Sequence, residues 1–502
     1  MITKEQLQYL GAVRTPEGMF HYSGQPASID FSRREYVMTH WNQVGRLSMV
    51  RPQLPRTQSW VTELDLLDRS SVPEAPAVGS LVDLSNNTWH ELNADNSGGS
   101  GYGAQEVYIL GNVALQAGSI YYDANGTQDV SWFAAKWPAT APAVRTPWRS
   151  IAGIGEGWAA GPMTIIPERF RELLKGDVLF GQPGAMPIIT RQSFGPCAIS
   201  AKASDFLSNQ DIPAKLLLGY GNGELALWGI GANDIWNAAT TYNSLTFIGD
   251  YLVYIGCHGY GEAKYGKGTS DPSLDGVFDP SDGGTWVYDP VAFGKGTHAF
   301  PYRVQGLGYK VSDLGDVAAG LKKPGEVQPA FWFPIEFPTF DHPHYGGAPP
   351  GVHPTIDVCG AEFDSATSEL HVIVRGQDSH GYEPGPLDHV FKVSGIPATP
   401  NASLLLEFDG SVIVQPPPPP PPPPVEPPVE PPVIDPPTLP PPPTPEIDAL
   451  KAQIAALTAE VLILTNRLGQ VRTKLQAVLT RLQGVKSTQK WLLTAIKDIL
   501  AL

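Results

Sequence analysis

The chain has 502 residues and a net charge of −16, with 17% charged residues, 10% aromatic residues and 52 glycines. Residues 446–502 carry eight Lys or Arg and four Asp or Glu, so the acidic excess lies nearer the start of the chain. An acidic surface repels phosphate backbones, which argues against nucleic acid as a partner. Few charges with many glycines and aromatics favour all-β structure with many turns.

Cys197, Cys257 and Cys359 are isolated and lack C-x-x-C spacing, which argues against a disulfide scaffold or a zinc site. The start, MITKEQLQYLGAV, lacks a basic-then-apolar signal segment, and no apolar run is long enough to cross a bilayer. We therefore expect synthesis in a host cytoplasm without a signal peptide and no membrane insertion. A virion protein released by lysis fits these features; a cytoplasmic or cell-surface location is the alternative.

Residues 1–402 are predicted to form a β-rich head. The pattern ASIDFSRREYVMTHW over residues 27–41 returns as AEFDSATSELHVIVR over residues 361–375, and a gapless alignment places Asp30 on Asp364. A hairpin reused at both ends of a body is a repeat signal.

Further hairpins are predicted over residues 118–133, 216–229 and 245–256, and short helices over residues 167–175 and 312–321. Irregularly spaced hairpins predict a mainly β fold, an irregular β-propeller of about five to seven blades. Two packed β-sandwiches are the alternative. Residues 403–415 are predicted to add a closing hairpin with an Asp-Gly turn.

Four segments of the head resemble uncharacterised β-propeller sequences of bacteria and their phages. They are SIDFSRREYVMTHW, RQSFGPCAI, GCHGYGEAKYG and KGTHAFPYRVQGLGYKVSDL. The resemblance covers residues 20–395 and implies a propeller fold, without any catalytic residue that could be assigned.

The segment CHGYGEAKYG follows an apolar strand, so we expect it on a loop at one face of the propeller. Tyr and His rings beside Glu and Lys suit a sugar ring, which offers apolar CH faces and hydroxyls. The alternative is a glycine-rich connection whose tyrosines pack between blades. The predicted ligand-binding residues are His258, Tyr260, Glu262, Lys264 and Tyr265.

Metal and catalytic patterns are weak. The candidate metal ligands are Asp341, His342, His344, His353 and Asp357, with a second group of His380, Asp388 and His389. Proline and the GGAPPG run indicate an irregular loop without fixed ligand spacing, so no metal or cofactor is predicted.

No G-x-S-x-G motif occurs, and adjacent Cys257 and His258 on a strand point in opposite directions. A glycosidase pair could come from Asp271, Asp275, Asp279, Asp282 or Glu262, although DPSDGGTW departs from the Asp-box of sialidase propellers. No catalytic residue is assigned, and a binding protein is favoured over an enzyme.

Residues 416–445 begin with nine consecutive prolines. Proline lacks a backbone donor and has a fixed φ, so this segment is predicted to be an extended polyproline II linker. At about 3.1 Å per residue it would span roughly 90 Å.

Residues 446–486 are predicted to form a coiled coil, because apolar residues alternate in steps of three and four over six heptads. The mixed β-branched and Leu core favours a homotrimer, with a dimer as the alternative. Residues 487–502 continue as an amphipathic segment that could dock on a larger assembly. The oligomerisation residues are Ile447, Leu450, Ile454, Leu457, Val461, Leu464, Leu468, Val471, Leu475, Val478, Leu482 and Val485.

A head on a stiff neck and a helical stalk resembles a phage tail or head fibre. The leading hypothesis is therefore a virion attachment protein whose head binds a host-surface ligand, expected to be a glycan. The alternatives are a polysaccharide-degrading propeller enzyme and a structural spacer or protein-binding propeller.

Overall fold

The structure, a computed structural model, divides into two units, Met1–Pro417 and Pro418–Leu502. The predicted linker, coiled coil and terminal segment, with all the predicted oligomerisation residues, lie outside the residues that the structure describes. These are residues 1–16, 20, 27–40, 43–53, 72–92, 100–122, 127–182, 192–225, 234–280, 283–336, 357–378 and 385–411.

The described residues are mainly β, with 22 strands and three short α-helices. In chain order the strands are β1 (Leu7–Arg14), β2 (Ser28–Asp30), β3 (Glu35–His40), β4 (Gln43–Ser48), β5 (Ser100–Leu110), β6 (Val113–Tyr122), β7 (Trp132–Lys136), β8 (Met163–Ile165), β9 (Val178–Phe180), β10 (Ala198–Ala201), β11 (Ala214–Leu218), β12 (Thr241–Ile248), β13 (Tyr251–Gly259), β14 (Lys264–Thr269), β15 (Phe278–Asp279), β16 (Gly284–Tyr288), β17 (Lys295–His298), β18 (Tyr302–Lys310), β19 (Phe331–Ile335), β20 (Asp357–Asp364), β21 (Glu369–Asp378) and β22 (Gly385–Val393). The helices are α1 (Glu156–Ala159), α2 (Glu168–Leu174) and α3 (Val311–Ala318).

Five antiparallel sheets follow one another along the chain. Sheet 1 is β2–β4, sheet 2 is β5–β7, and sheet 3 is β8–β11. Sheet 4 contains β12, β13, β18 and β19, and sheet 5 contains β20–β22 with β1 at its edge. The first strand of the chain is thus paired with the last, in a register that runs from Leu7 opposite Val393 to Arg14 opposite Leu387.

A sixth, small sheet is inserted between two strands of sheet 4. Strands β14–β17 lie between β13 and β18 in the chain, and β14 pairs with β16 in parallel. We call residues 260–301 the insertion.

The predicted repeat is confirmed. In sheet 1, β2 pairs with β3 so that Asp30 faces Glu35, and in sheet 5, β20 pairs with β21 so that Asp364 faces Glu369. These are the positions that the gapless sequence alignment superposes, so the two hairpins share one register.

Sheets 1 to 5 pack in cyclic order. Five large buried apolar clusters lie between sheets 1 and 2, 2 and 3, 3 and 4, 4 and 5, and 5 and 1. The last of them joins Ile29 and Tyr36 of sheet 1 to Ile373 of sheet 5. The first strands of the five sheets (β2, β5, β8, β12 and β20) contact one another in the same cyclic order.

Aromatic side chains join neighbouring sheets. Trp132 of sheet 2 is fully buried, and its ring meets those of Phe180 and Phe206 edge-on at 5.5 Å. Its indole N–H donates to the Ala159 carbonyl at 2.6 Å, which satisfies the one polar atom of the side chain. Burial of such a side chain contributes about 2–3 kcal/mol.

The two predicted helices are confirmed as α2 and α3, which pack against each other. Close approach depends on Gly315, because a Cβ there would lie 2.4 Å from Leu173 Cδ1. The hairpin predicted over residues 403–415 is described as far as residue 411, and over that part the chain forms no strand. Instead Leu404, Leu406 and Phe408 pack on the cluster between sheets 2 and 3.

Candidate functional site

His258 does not lie on a surface loop, contrary to the prediction. It is the eighth residue of the nine-residue strand β13, paired with Arg303 of β18, and its side chain is fully buried. Its Nδ1 atom lies 2.8 Å from the hydroxyl of Thr240. The apolar run therefore continues as strand through the histidine, and His258 cannot touch a ligand outside the protein.

The other four predicted residues lie at the surface of the insertion. Tyr260 and Tyr265 are exposed, the latter by 54%. Lys264 forms ion pairs with Glu262 at 3.5 Å and with Asp275 at 2.9 Å. The hydrogen bond to Asp275 is the main cause that raises the pKa of Lys264, so this lysine is positively charged.

The strand register of the insertion creates one open face. Tyr265 and Lys267 point to the same side of β14, and Lys267 is paired with Trp286 of the neighbouring strand. The Lys267 ammonium lies 4.7 Å from the centre of the Trp286 ring. On the other side, Tyr265 pairs with Thr297 and Lys267 with Lys295. We call Tyr265, Lys267, Trp286, Lys295 and Thr297 the outer face.

Exposed aromatic rings are concentrated around the insertion. At its base, the Arg303 guanidinium lies 4.9 Å from the Tyr260 ring and 4.3 Å from the Trp332 ring. Five exposed aromatic side chains fall between positions 260 and 332: Tyr260, Tyr265, Phe278, Phe293 and Trp332.

A buried triad of Asp289, His298 and Tyr302, the insertion triad, fixes the base of this sheet. Asp289 Oδ2 lies 2.8 Å from His298 Nδ1 and accepts from the Tyr302 hydroxyl at 2.6 Å. Asp289 Oδ1 accepts from the backbone amides of Val291 and Ala292. Burial alone would raise the pKa of Asp289, but the bonds from His298, Tyr302 and the Val291 amide outweigh it and hold that pKa below its usual value.

The carboxylates considered for a glycosidase pair have structural partners where they are described. Asp271 accepts from the Ser273 amide, Asp275 binds Lys264 and the Tyr288 amide, and Asp279 is buried 3.8 Å from the Lys267 ammonium. Asp282 lies outside the described residues.

Of the metal candidates, Asp341, His342, His344, His353 and His380 also lie outside the described residues. Asp357 is 3.4 Å from Arg375 and 3.4 Å from the Asn243 amide nitrogen. His389 bonds to Tyr9 and Gln377, and burial lowers its pKa to about 3. No cluster of three His, Cys, Asp or Glu suited to a metal occurs in the described part of the chain.

A second triad joins Tyr36 of sheet 1 to His371 and Asp388 of sheet 5, and we call it the inter-sheet triad. Asp388 Oδ2 lies 2.7 Å from His371 Nδ1 and accepts from the Tyr36 hydroxyl at 2.8 Å. The sequence alone grouped Asp388 with the adjacent His389, but the two side chains have separate partners.

The centre of the cyclic arrangement holds two buried carboxyl groups that sequence reasoning missed. Glu106 of β5 accepts from the backbone amides of Met163 and Val107. Glu362 of β20 bonds to the Ile29 amide and to the Tyr108 hydroxyl. Burial raises the pKa of both carboxyls well above the usual range. The only indication in the sequence is a lone Glu inside each apolar strand.

A small cavity lies beside these carboxyls, and we call it the central cavity. Residues of all five first strands line it, among them Ser28, Glu106, Asn243, Ser244 and Glu362. The volume of the cavity is about 10 Å³, roughly what one water molecule or one ion requires. Glu362 also lines a larger cavity of about 850 Å³, which is open to solvent on one side.

No protein-family model matches the chain, and no curated protein matches it. Among solved structures the chain is similar to a luciferin-regenerating enzyme, with 8% identity and a TM-score of 0.30 over 76% of this chain and 80% of the other. A likeness at this level supports no argument about fold or function. Among the described residues, no helix has the length and apolar character that crossing a membrane requires.

Proposed function

We propose that Met1–Pro417 is a five-bladed β-propeller. Three observations support this arrangement: the presence of sheets 1 to 5, their cyclic packing, and the cyclic contacts of their first strands. Pairing of β1 with β22 would close the ring in the manner that joins the two ends of a propeller. The insertion would then be a small sheet carried by the fourth blade.

We propose that the insertion binds a glycan through its outer face. The observation that carries this proposal is the exposed Tyr265 ring on the same face as Lys267 and the Trp286 ring that Lys267 contacts. An aromatic ring offers a sugar a flat apolar surface, and Lys267, Lys295 and Thr297 beside it offer hydrogen bonds to hydroxyls. Tyr265 and Trp286 are the side chains expected to stack on the sugar.

The wider proposal is that the protein attaches a virion to its host. The proline-rich linker and the heptad pattern would present several heads from one homotrimeric stalk. Several weak sites on one particle raise the effective concentration at a surface of repeated glycans, so modest affinity at each head would suffice.

The test is binding of the full chain to host-surface polysaccharide fragments. We expect Tyr265→Ala and Trp286→Ala each to weaken binding about tenfold, which corresponds to about 1.4 kcal/mol of lost contact. Leu321→Ala is the matched control, because Leu321 is 76% exposed and lies outside the insertion. A chain ending at Gln415 should keep the affinity of a single head and lose the multivalent gain.

Unchanged binding in both aromatic variants would overturn the outer face as the site. Release of new reducing ends from the polysaccharide would instead identify the protein as a hydrolase.

A further inference from the structure

The central cavity contains buried oxygen atoms without partners. Glu106 Oε1, Asn243 Oδ1 and Ser244 Oγ are each inaccessible to solvent and have no hydrogen-bond partner among the described residues. Their side chains are 92% to 98% buried, since Asn243 is 8% exposed and Glu106 and Ser244 are 2% exposed. A buried polar atom left unpaired costs about 1–3 kcal/mol, so three beside one cavity require a compensating group.

When Glu106 is ionised, its Oε1 and Asn243 Oδ1 are acceptors, and Ser244 Oγ can accept as well as donate, so a donor or a cation would satisfy all three atoms. The Asn243 amide nitrogen is bonded to Asp357, which leaves the carbonyl oxygen of that side chain for the cavity. The neighbouring titratable groups are also acidic: Glu362 lies near Glu106, and Asp30 lies near Glu362. Lys and Arg are absent from the residues that line the cavity.

We propose that the central cavity is a calcium site whose ligands are Glu106, Glu362, Asn243 and Ser244. Carboxylate, amide and hydroxyl oxygens are the ligands of hard divalent cations, and calcium accepts the irregular geometry that three different strands impose. The cavity has room for one such ion. The large open cavity also reaches Glu362.

Calcium at this position would have a structural effect. Glu106 belongs to sheet 2, Asn243 and Ser244 to sheet 4, and Glu362 to sheet 5. One ion would therefore join three of the five sheets at their first strands and offset the repulsion between two buried carboxylates. The site shares no residue with the outer face and does not depend on glycan binding.

The experiment uses the full chain stripped of metals with a chelator, and calcium chloride alone as the probe. We expect calorimetry to give one calcium per chain and a thermal scan to give a higher Tm with calcium, since a ligand that binds only the folded state stabilises it. Absence of both binding heat and a Tm shift at millimolar calcium would overturn the proposal and leave water as the occupant of the cavity.

Two substitutions with opposite expected effects test the ligands. Glu106→Gln removes a charge and should weaken calcium binding at least about tenfold, whereas Asn243→Asp adds a charged ligand and should strengthen it. If Glu106→Gln does not fold, Asn243→Asp still tests the ligand assignment. Replacing an asparagine with a purely structural role would give no gain in calcium affinity.

Glu156→Gln is the matched control. Glu156 is also buried, but its oxygens accept from Ser131 and from the Ile151 amide, and it does not line the cavity. The calcium affinity of the Glu156→Gln variant should equal that of the wild type. Equal affinity in all three variants would place the ion elsewhere and refute the assignment.

Discussion

The insertion triad and the inter-sheet triad use the same three residue types in the same way. In each, one aspartate oxygen serves both a histidine Nδ1 and a tyrosine hydroxyl, at 2.6–2.8 Å. The second aspartate oxygen distinguishes them. Oδ1 of Asp289 accepts from two backbone amides, whereas Oδ1 of Asp388 has no partner among the described residues.

The two triads therefore differ in what holds the carboxylate. Asp289 receives four donors, and two of them are backbone amides that fix the loop before β17. Asp388 receives donors only from side chains of two sheets, so its role is to join sheet 1 to sheet 5. Two triads of the same residue types with the same shared hydrogen bonds can therefore have different roles. The hydrogen-bond partners of the second aspartate oxygen decide the role of each triad.

The largest expected effect comes from replacing each aspartate with asparagine. In Asp289→Asn one accepting oxygen becomes an NH₂ group that faces donors, so we expect a loss of about 3 kcal/mol in the free energy of unfolding. In Asp388→Asn the NH₂ group can take the place of the unpaired Oδ1, and we expect a loss below about 1 kcal/mol. Urea unfolding of the full chain measures both. Equal losses would show that the unpaired oxygen of Asp388 has a partner in the folded protein.

Short-range features were predictable from the sequence because local hydrogen bonds set them. Asp30 accepts from the Arg33 amide, and its counterpart Asp364 accepts from the Thr367 amide. The residue that follows is left-handed in both hairpins, with φ of 56° at Arg34 and 54° at Ser368. A turn of this kind is encoded within a few residues, which explains why alignment of two stretches found the shared register.

Long-range features were not predictable, since one sequence does not say which strands become neighbours. Tyr36 and Asp388 are 352 positions apart and meet where sheet 1 packs against sheet 5. Glu106 and Glu362 likewise belong to different sheets and are brought together only by the fold. The predicted surface position of His258 was wrong for a related reason. The end of β13 is covered by β18, which follows the whole insertion in the chain.

A smaller difference should appear in the pH dependence of stability. The pKa of Asp289 is held below its usual value of 3.8. The contribution of ionised Asp289 to the free energy of unfolding is therefore present above pH 3.8 and is lost as the pH falls through the lower, folded-state pKa. Burial alone would lower the pKa of His371, but the charge and hydrogen bond of Asp388 outweigh it and raise that pKa above 6.5. The contribution of His371 is therefore complete below pH 6.5 and is lost as the pH rises through the folded-state pKa.

Unfolding free energies between pH 3 and pH 9 separate the two triads. Relative to wild type, Asp289→Asn should flatten the acid side of the profile, and His371→Gln should flatten the neutral-to-alkaline side. A His371→Gln profile parallel to wild type above pH 6.5 would contradict charge pairing in the inter-sheet triad.

The smallest expected difference between the two triads comes from removing the tyrosine hydroxyls. Tyr302 donates to Asp289 and also accepts from the Ala299 amide at 3.2 Å, so Tyr302→Phe leaves a backbone donor unpaired as well. Tyr36→Phe removes only the bond to Asp388. We expect losses of about 1.5 kcal/mol for Tyr302→Phe and about 1 kcal/mol for Tyr36→Phe. Phenylalanine keeps the ring in place, so each variant loses only the hydroxyl. A larger loss of unfolding free energy in Tyr36→Phe than in Tyr302→Phe would mean that the contact between sheets 1 and 5, rather than the number of hydrogen bonds, determines how much a triad stabilises the protein.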